Sequence, residues 1–238
     1  MKKTYSTFVL SLFLIYGAQA SVASFNAKSG KFFNKYVNNG MVSYKSIKAN
    51  LSEIAGLYAE VESMNLSAAT ENEKKAFYIN AYNVIVIYQV TKFYPLKSAL
   101  DQSGFFDKVK HKVAGESLTL NHLEIKKLII PYQDPRIHFV LACAAKSCPP
   151  LASFAYTADQ LDQQLEARTM LAINDAGWLK VVPAENKVLV SKIFDWYKKD
   201  FTATGMSVLE FINKYRTKKI PANYTVSHYE YDWSLNES

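Results

Sequence analysis

The chain has 238 residues and a formal net charge of +7 at neutral pH, and 49% of its residues are hydrophobic. A chain of this length can bury a large apolar core, so its two cysteines are not needed to hold it together. The lysines form scattered KK pairs rather than one basic stripe, which argues against a nucleic-acid-binding protein.

The chain begins with the pattern of a secretory signal peptide. Lys2 and Lys3 precede an apolar run from Phe8 to Tyr16, and Ala18 and Ala20 are the small residues expected before a cleavage site. The apolar run is shorter than the roughly 20 residues that a transmembrane helix needs. We therefore expect a periplasmic or secreted protein with no transmembrane segment.

Removal of residues 1–20 leaves residues 21–238, which we predict to be a single domain. This part has 218 residues (238 minus 20) and a net charge of +5, since two of the lysines are lost from +7. It contains no internal repeat or low-complexity segment.

Two helices are predicted in the first half of this domain. Apolar residues recur at helical spacing from Tyr44 to Val61. A second helix, Glu71–Lys92, starts at a capping box formed by Thr70 and Glu73. Because this second helix is apolar on almost every side, it is expected to lie at the centre of the domain.

Asn80 and Asn83 interrupt the apolar surface of the second helix. A buried amide without partners costs on the order of 1–3 kcal/mol, so both side chains must meet polar groups. They either bridge to neighbouring backbone, or line and orient a binding site. The central segment that carries His138 and the tail at residues 231–233 are the expected partners.

The sequence from residue 118 to residue 142 predicts a helix and a buried strand. The helix is Leu118–Ile130, with a possible capping box from Asn121 to Glu124 and an end at Pro131. The strand is Arg136–Ala142, a β-branched and apolar run between proline-containing segments, and it carries His138.

The remaining residues predict two helices and three strands, which are a helix from 157 to 173, a hairpin of 178–182 with 187–193, a helix capped by Ser207 that ends at Tyr215, and a strand from 226 to 233. Helices followed by a small sheet with interspersed helices indicate an α+β fold. We expect the helical N-terminal part to pack on a mixed or antiparallel sheet.

Three alternatives account for Cys143 and Cys148. In the first, Cys148 is a nucleophile, His138 is its base and Glu124 orients the base. In the second, the two cysteines form a disulfide, as an oxidising compartment allows. In the third, both cysteines bind zinc with His138 and His122, but no closely spaced ligand pair supports this.

These motifs together resemble the family named domain of unknown function 547, found in exported bacterial proteins and in plants. The resemblance rests on "AFYINAYNVIVI" (Ala76–Ile87), "LTLNHLEIKKLI" (Leu118–Ile129), "DPRIHFVLACAAKSCPPL" (Asp134–Leu151), "IFDWYKKDF" (Ile193–Phe201) and "YDWSLN" (Tyr231–Asn236). It implies that the recurring polar positions are Asn80, Asn83, Glu124, His138, Cys143 and Cys148. Many members have Glu-His where this chain has Glu124-Ile125, so His122 or Lys126 would have to replace that histidine.

The order of a buried helix before a segment with histidine is also similar to papain-like and transglutaminase-like folds, although there the cysteine opens the helix. The leading hypothesis is a thiol-dependent hydrolase or transferase that acts on peptide, amide or acyl bonds and needs no cofactor. The alternatives are a non-catalytic envelope or surface protein that binds a peptide, protein or glycan at Asn80, Asn83 and Cys143, and a thiol-redox element.

Export gives a first prediction. Cleavage after Ala20 should produce a mature protein that begins at Ser21 and is found in the periplasm or the medium, because the first twenty residues carry the signal pattern. Mass spectrometry of fractionated cells measures both the N-terminus and the location. A cytoplasmic protein that keeps residues 1–20 would contradict the prediction.

Overall fold

The computed structural model describes residues 21–203 and 205–238, so the predicted signal peptide lies outside the described residues. The N-terminal elements are α1 (Val22–Tyr36), β1 (Val37–Asn38), β2 (Met41–Val42), α2 (Tyr44–Ala49), α3 (Leu51–Ser63) and α4 (Glu71–Phe93). Helix α1 is an element that no sequence pattern above predicts. Its cap is Ser21, whose hydroxyl accepts a hydrogen bond from the Ser24 amide at 3.2 Å.

The middle and C-terminal elements are β3 (His111–Val113), β4 (Glu116–Leu118), α5 (Leu120–His122), a π-helical segment (Leu123–Ile129), α6 (Ile130–Tyr132), a 3₁₀ helix (Pro135–Phe139), α7 (Leu161–Asn174), β5 (Lys180–Val182), β6 (Lys187–Val190), α8 (Ile193–Trp196), α9 (Lys198–Thr202), α10 (Val208–Tyr215) and β7 (Thr225–His228). Strand β6 pairs antiparallel with β5 and parallel with β7, which makes a mixed sheet. The predicted α+β class is confirmed.

Helix α4 is the centre of the N-terminal part. It starts at the predicted capping box of Thr70 and Glu73 and runs one residue further than predicted. Helices α1, α2 and α3 pack against it, and the rings of Phe25 and Phe77 lie 5.3 Å apart between α1 and α4. Helix α4 is therefore the buried centre of this part of the fold, as its largely apolar composition predicts.

The predicted helix from 44 to 61 is two helices, α2 and α3, rather than one. Asn50 breaks it with a non-helical backbone (φ −129°, ψ 53°), and its side chain donates to the Ser46 carbonyl at 3.1 Å. Such side-chain bonds to nearby backbone compete with helix formation.

The helix predicted over 118–130 exists, but its details differ. Its cap is Thr119, whose hydroxyl accepts from the His122 amide at 3.2 Å, so the predicted box from Asn121 to Glu124 is wrong. The helix also continues past Pro131 to Tyr132. Its middle is π-helical, and this segment carries Glu124.

The strand predicted over 136–142 is wrong, because His138 lies in the 3₁₀ helix instead. The Asp134 carboxylate accepts from the Arg136 amide at 3.0 Å, and Pro135 fixes the first helical residue. A short apolar run signals burial, but by itself it does not separate a strand from a helical turn.

The C-terminal predictions are largely confirmed. The hairpin of β5 and β6 forms, and α10 begins at a capping box of Ser207 and Glu210 and ends at Tyr215. Helix α7 starts four residues later than predicted, because Thr157 lies in a loop where its amide donates to Gln164 at 3.0 Å. The last strand, β7, is shorter than predicted.

Two apolar clusters meet at the 3₁₀ helix. Ile137 belongs to the cluster around α4, whereas Phe139 belongs to the cluster formed by the mixed sheet and helices α8 to α10. His138 lies between these two residues, so it stands at the seam of the two clusters.

The end of the C-terminal tail is hydrogen-bonded to the N-terminal part of the fold. Asn236 donates to the Gly40 carbonyl at 3.0 Å and accepts from the Tyr44 hydroxyl at 2.9 Å. Its backbone accepts from the Val42 amide at 2.8 Å. Across the described ranges, no helix has both the length and the apolar character of a membrane span.

A buried histidine predicts how the stability of the fold depends on pH. His111 lies between the Tyr58 hydroxyl, 3.1 Å from its Nδ1, and the Gln89 side-chain oxygen at its Nε2. Burial, and to a lesser extent Lys92, lowers the pKa of His111 from 6.5 to about 4. Between these two pH values, His111 therefore stays neutral in the folded protein, whereas it takes up a proton in the unfolded chain.

Accordingly, the free energy of unfolding should fall as the pH is lowered from 6.5 towards about 4. The variant His111→Asn should lack this part of the decrease, whereas the exposed His228→Asn should keep it. Urea unfolding at several pH values measures the slope. Equal slopes for all three proteins would contradict the assignment.

Candidate functional site

A cleft of about 440 Å³ lies at the seam of the two clusters. The predicted site residues Glu124, His138, Cys143 and Cys148 all line it. Its other walls are mainly aromatic and comprise Tyr82, Phe106, Trp196, Tyr197, Tyr231 and Trp233. The fold thus brings four of the six predicted polar residues to one cavity.

The two cysteines form a disulfide, with their Cα atoms 6.1 Å apart. Of the three sequence-based alternatives, this is the second. The backbone amide of Cys143 donates to the Cys148 sulfur at 2.9 Å, and the Tyr231 hydroxyl lies 3.1 Å from the Cys143 sulfur. Cys148 is buried and Cys143 is half-buried, so Cys143 is the more accessible of the two.

The loop between the cysteines is held by the C-terminal tail. The amide of Lys146 donates to the Ser234 carbonyl at 2.8 Å, and the amide of Ser147 donates to the Asp232 carbonyl at 3.2 Å. The Asp232 amide donates back to the Ser147 hydroxyl at 2.8 Å. These bonds fix the loop that carries the disulfide independently of the sulfur–sulfur bond.

His138 is buried between two carboxylates. Its Nε2 lies 2.7 Å from Asp200, and its Nδ1 lies 3.9 Å from Glu124. The Tyr197 ring stacks on the imidazole at 4.0 Å. Asp200 is the hydrogen-bonded partner of the imidazole, whereas Glu124, the orienting residue predicted from the sequence, lies beyond hydrogen-bond distance.

Glu124 is placed in the cleft by the π-helical segment, a geometry often found at functional sites. Burial raises the pKa of its carboxyl group, although His138 and the side chains of Tyr197 and Tyr82 act in the opposite direction. A glutamate in this state holds its proton to a higher pH than an exposed one, which makes it a candidate proton donor of the cleft.

Asn83 and Asn80 do not line the cleft, but Asn83 fixes one of its walls. Asn83 donates to the Val140 carbonyl at 2.9 Å and accepts from the Ala142 amide at 2.8 Å. Val140 and Ala142 lie between His138 and Cys143. The amide is therefore a backbone clamp on the segment that carries both site residues.

Asn80 makes a similar clamp further from the cleft. It donates to the Tyr156 carbonyl at 2.8 Å and accepts from the Tyr156 amide at 2.9 Å. Its amide also donates to the Asn26 side chain at 2.8 Å. Both asparagines thus bridge to backbone, and the expected contact with residues 231–233 is not formed by either.

The sequence patterns do not predict two of the site residues, Asp200 and Tyr197. Both lie in the "IFDWYKKDF" segment, whose only signal was the family resemblance, and Asp200 is 62 positions from its partner His138. His122 and Lys126 are exposed and do not line the cleft. No group of three metal-ligating side chains occurs within the described residues.

Comparison with known proteins gives one match. Residues 66–171 match the model of the family described as "Protein of unknown function, DUF547". Neither the search of curated proteins nor the search of solved structures found a match. The matched residues include Glu124, His138 and the disulfide, whereas Asp200 and the aromatic tail lie outside them.

The two clamps allow a matched test of how Asn83 affects the disulfide. Asn83→Leu and Asn80→Leu should each lower the free energy of unfolding, because each leaves a buried amide and carbonyl unpaired, at about 1–3 kcal/mol per group. Only Asn83→Leu should also change the rate at which dithiothreitol reduces the disulfide, since only its partners adjoin Cys143. Melting curves and timed alkylation of the released thiols measure both quantities.

The two variants control for each other, since both are made on the same helix and remove one bond to a backbone carbonyl and one from a backbone amide. Asn80→Leu also removes the bond to Asn26. A reduction rate that changes equally in both would mean that lost stability, and not the position of the clamp, controls the disulfide.

Proposed function

Since the chain carries a domain of the family of unknown function DUF547, whose description assigns no reaction, we propose a function from the geometry of the cleft. The Cys143–Cys148 disulfide exchanges with the thiols of a polypeptide that binds in the aromatic cleft. The observation that carries this proposal is that the disulfide forms part of the cleft wall, with the half-buried Cys143 on its accessible side.

The first step is attack by a substrate thiolate on the Cys143 sulfur. A bond forms between the substrate sulfur and Cys143, the Cys143–Cys148 bond breaks, and its electron pair goes to the Cys148 sulfur. The amide of Cys143 donates to that sulfur at 2.9 Å. This hydrogen bond stabilises the thiolate that leaves, because hydrogen bonds to the charged form favour it.

The second step releases the product. A second thiolate of the substrate attacks the substrate sulfur of the mixed disulfide, and Cys143 leaves as a thiolate. The substrate dithiol is thereby oxidised to a disulfide, the protein disulfide is reduced to a dithiol, and two protons pass from the substrate to the protein. We assign the relay of these protons to His138 and Glu124, the titratable groups that line the same cleft as the disulfide.

A periplasmic or secreted location is part of the same proposal. Disulfides persist in oxidising compartments and are rare in the cytosol. The signal-peptide pattern in residues 1–20 supports an exported protein, and the substrate would then be an exported polypeptide with reduced cysteines.

A thiol-dependent hydrolase or transferase is the second candidate, favoured by one observation. The imidazole of His138 is oriented by Asp200 at 2.7 Å, which is the arrangement of a base and its orienting acid. This reaction on peptide, amide or acyl bonds requires reduced Cys148, whose sulfur is bonded to Cys143 in the structure.

Trapping of the mixed disulfide tests the proposed exchange. The variant Cys148→Ser, incubated with a peptide disulfide, should accumulate a mixed disulfide on Cys143, because no second cysteine resolves it. The matched variant Cys143→Ser should react much more slowly, since Cys148 is buried. His138→Asn should slow the exchange by about tenfold or more, as loss of a general base does. Mass spectrometry with peptide mapping identifies the modified cysteine.

Other outcomes would favour the other candidates. A burst of p-nitrophenol from p-nitrophenyl acetate that requires reduced Cys148 and His138, together with no trapping on Cys143, would favour the hydrolase or transferase. A protein that shows neither reaction but binds a peptide or an oligosaccharide, seen as a change in tryptophan fluorescence, would be a non-catalytic binding protein.

A further inference from the structure

The outer wall of the cleft is a cluster of three aromatic side chains beside the disulfide. The rings of Trp196 and Tyr231 lie 4.9 Å apart, those of Tyr231 and Trp233 lie 4.8 Å apart, and those of Trp196 and Trp233 lie 5.8 Å apart. Trp196 is 48% exposed, which is unusual for so large an apolar side chain. We call Trp196, Tyr231 and Trp233 the aromatic rim.

The aromatic rim adjoins the sulfur of Cys143, the half-buried cysteine. The Tyr231 hydroxyl lies 3.1 Å from the Cys143 sulfur, so one member of the rim contacts the atom that a substrate thiolate would attack. A side chain next to the reacting cysteine of a substrate would therefore fall on the rim. Tryptophan and tyrosine faces pack well against other aromatic or aliphatic groups.

Among the described residues, the lining of the cleft includes an acidic side chain but no lysine or arginine. The acidic side chain is Glu124, and Asp200 binds His138 in the cleft wall. Lys146, in the loop between the two cysteines, is exposed and does not line the cleft. A carboxylate that entered this cleft would find no lysine or arginine among the described residues of its walls, so it would lose hydration without gaining an ion pair with either side chain.

From these observations we infer the substrate class of the site, which rests on the proposed thiol exchange. The partner is a polypeptide segment in which the reactive cysteine is next to an aromatic or large aliphatic residue and has no acidic neighbour. Small anionic thiols such as glutathione, which carries two carboxylates, are poor substrates.

The rates at which four thiols reduce the protein disulfide test this inference. Three are blocked peptides, Gly-Gly-Cys-Phe-Gly, Gly-Gly-Cys-Gly-Gly and Gly-Gly-Cys-Glu-Gly, and the fourth is glutathione. Each rate is divided by the rate of the same thiol with hydroxyethyl disulfide, which removes differences in intrinsic thiol reactivity. Alkylation of the released protein thiols, followed by mass spectrometry, gives the rates.

The phenylalanine peptide should react about threefold to tenfold faster than the glycine peptide, the range expected for one aromatic contact. The glutamate peptide and glutathione should be slower than the glycine peptide. In Trp196→Ala the ratio of the phenylalanine to the glycine rate should fall towards one. It should be unchanged in Phe154→Ala, which removes an exposed aromatic ring that does not line the cleft.

Three outcomes would overturn the inference. Equal normalised rates for all four thiols, or a fastest rate for glutathione, would refute the substrate class while the exchange reaction itself stands. If no thiol reduces the protein faster than it reduces hydroxyethyl disulfide, the proposed function fails and the substrate class fails with it.

Discussion

The cleft depends on the side chain of Asn83, which crosses from the central helix to the backbone at Val140 and Ala142. That segment has neither strand nor helix partners for these two groups, so the amide replaces the missing secondary structure. A buried amide that satisfies both a carbonyl and an N–H is stabilising only when the geometry is kept, because an unpaired group costs on the order of 1–3 kcal/mol. The same clamp therefore fixes His138 on one side and Cys143 on the other.

The position of the clamp also explains why the polar groups gather where they do. Each apolar cluster closes its own core, and the 3₁₀ helix passes between them with Ile137 in one and Phe139 in the other. Side chains at this seam are buried but lie next to a cavity. His138 meets Asp200 there, and burial raises the pKa of the Glu124 carboxyl group.

Local patterns in the sequence predict the central helix, the hairpin and the last helix, because a capping box or a turn marks where each begins. The segment around His138 is predicted to be a strand because its apolar run is too short to show a period. The partners of the site are harder to predict. Tyr231 is 88 positions from Cys143, and Asp200 is 62 positions from His138, so only the folded chain brings them together.

The disulfide is the reactive group of the proposed exchange, and it contributes little to the stability of the fold. Closing a loop with four intervening residues restrains the unfolded chain by about 2 kcal/mol, which is small for a domain with two apolar clusters. The hydrogen bonds from Lys146 and Ser147 to the tail do not involve sulfur. Because the tail holds the loop through bonds that contain no sulfur, we expect the two cysteines to stay close when the sulfur–sulfur bond opens. That proximity is the condition under which a disulfide in a cleft wall can open and close reversibly.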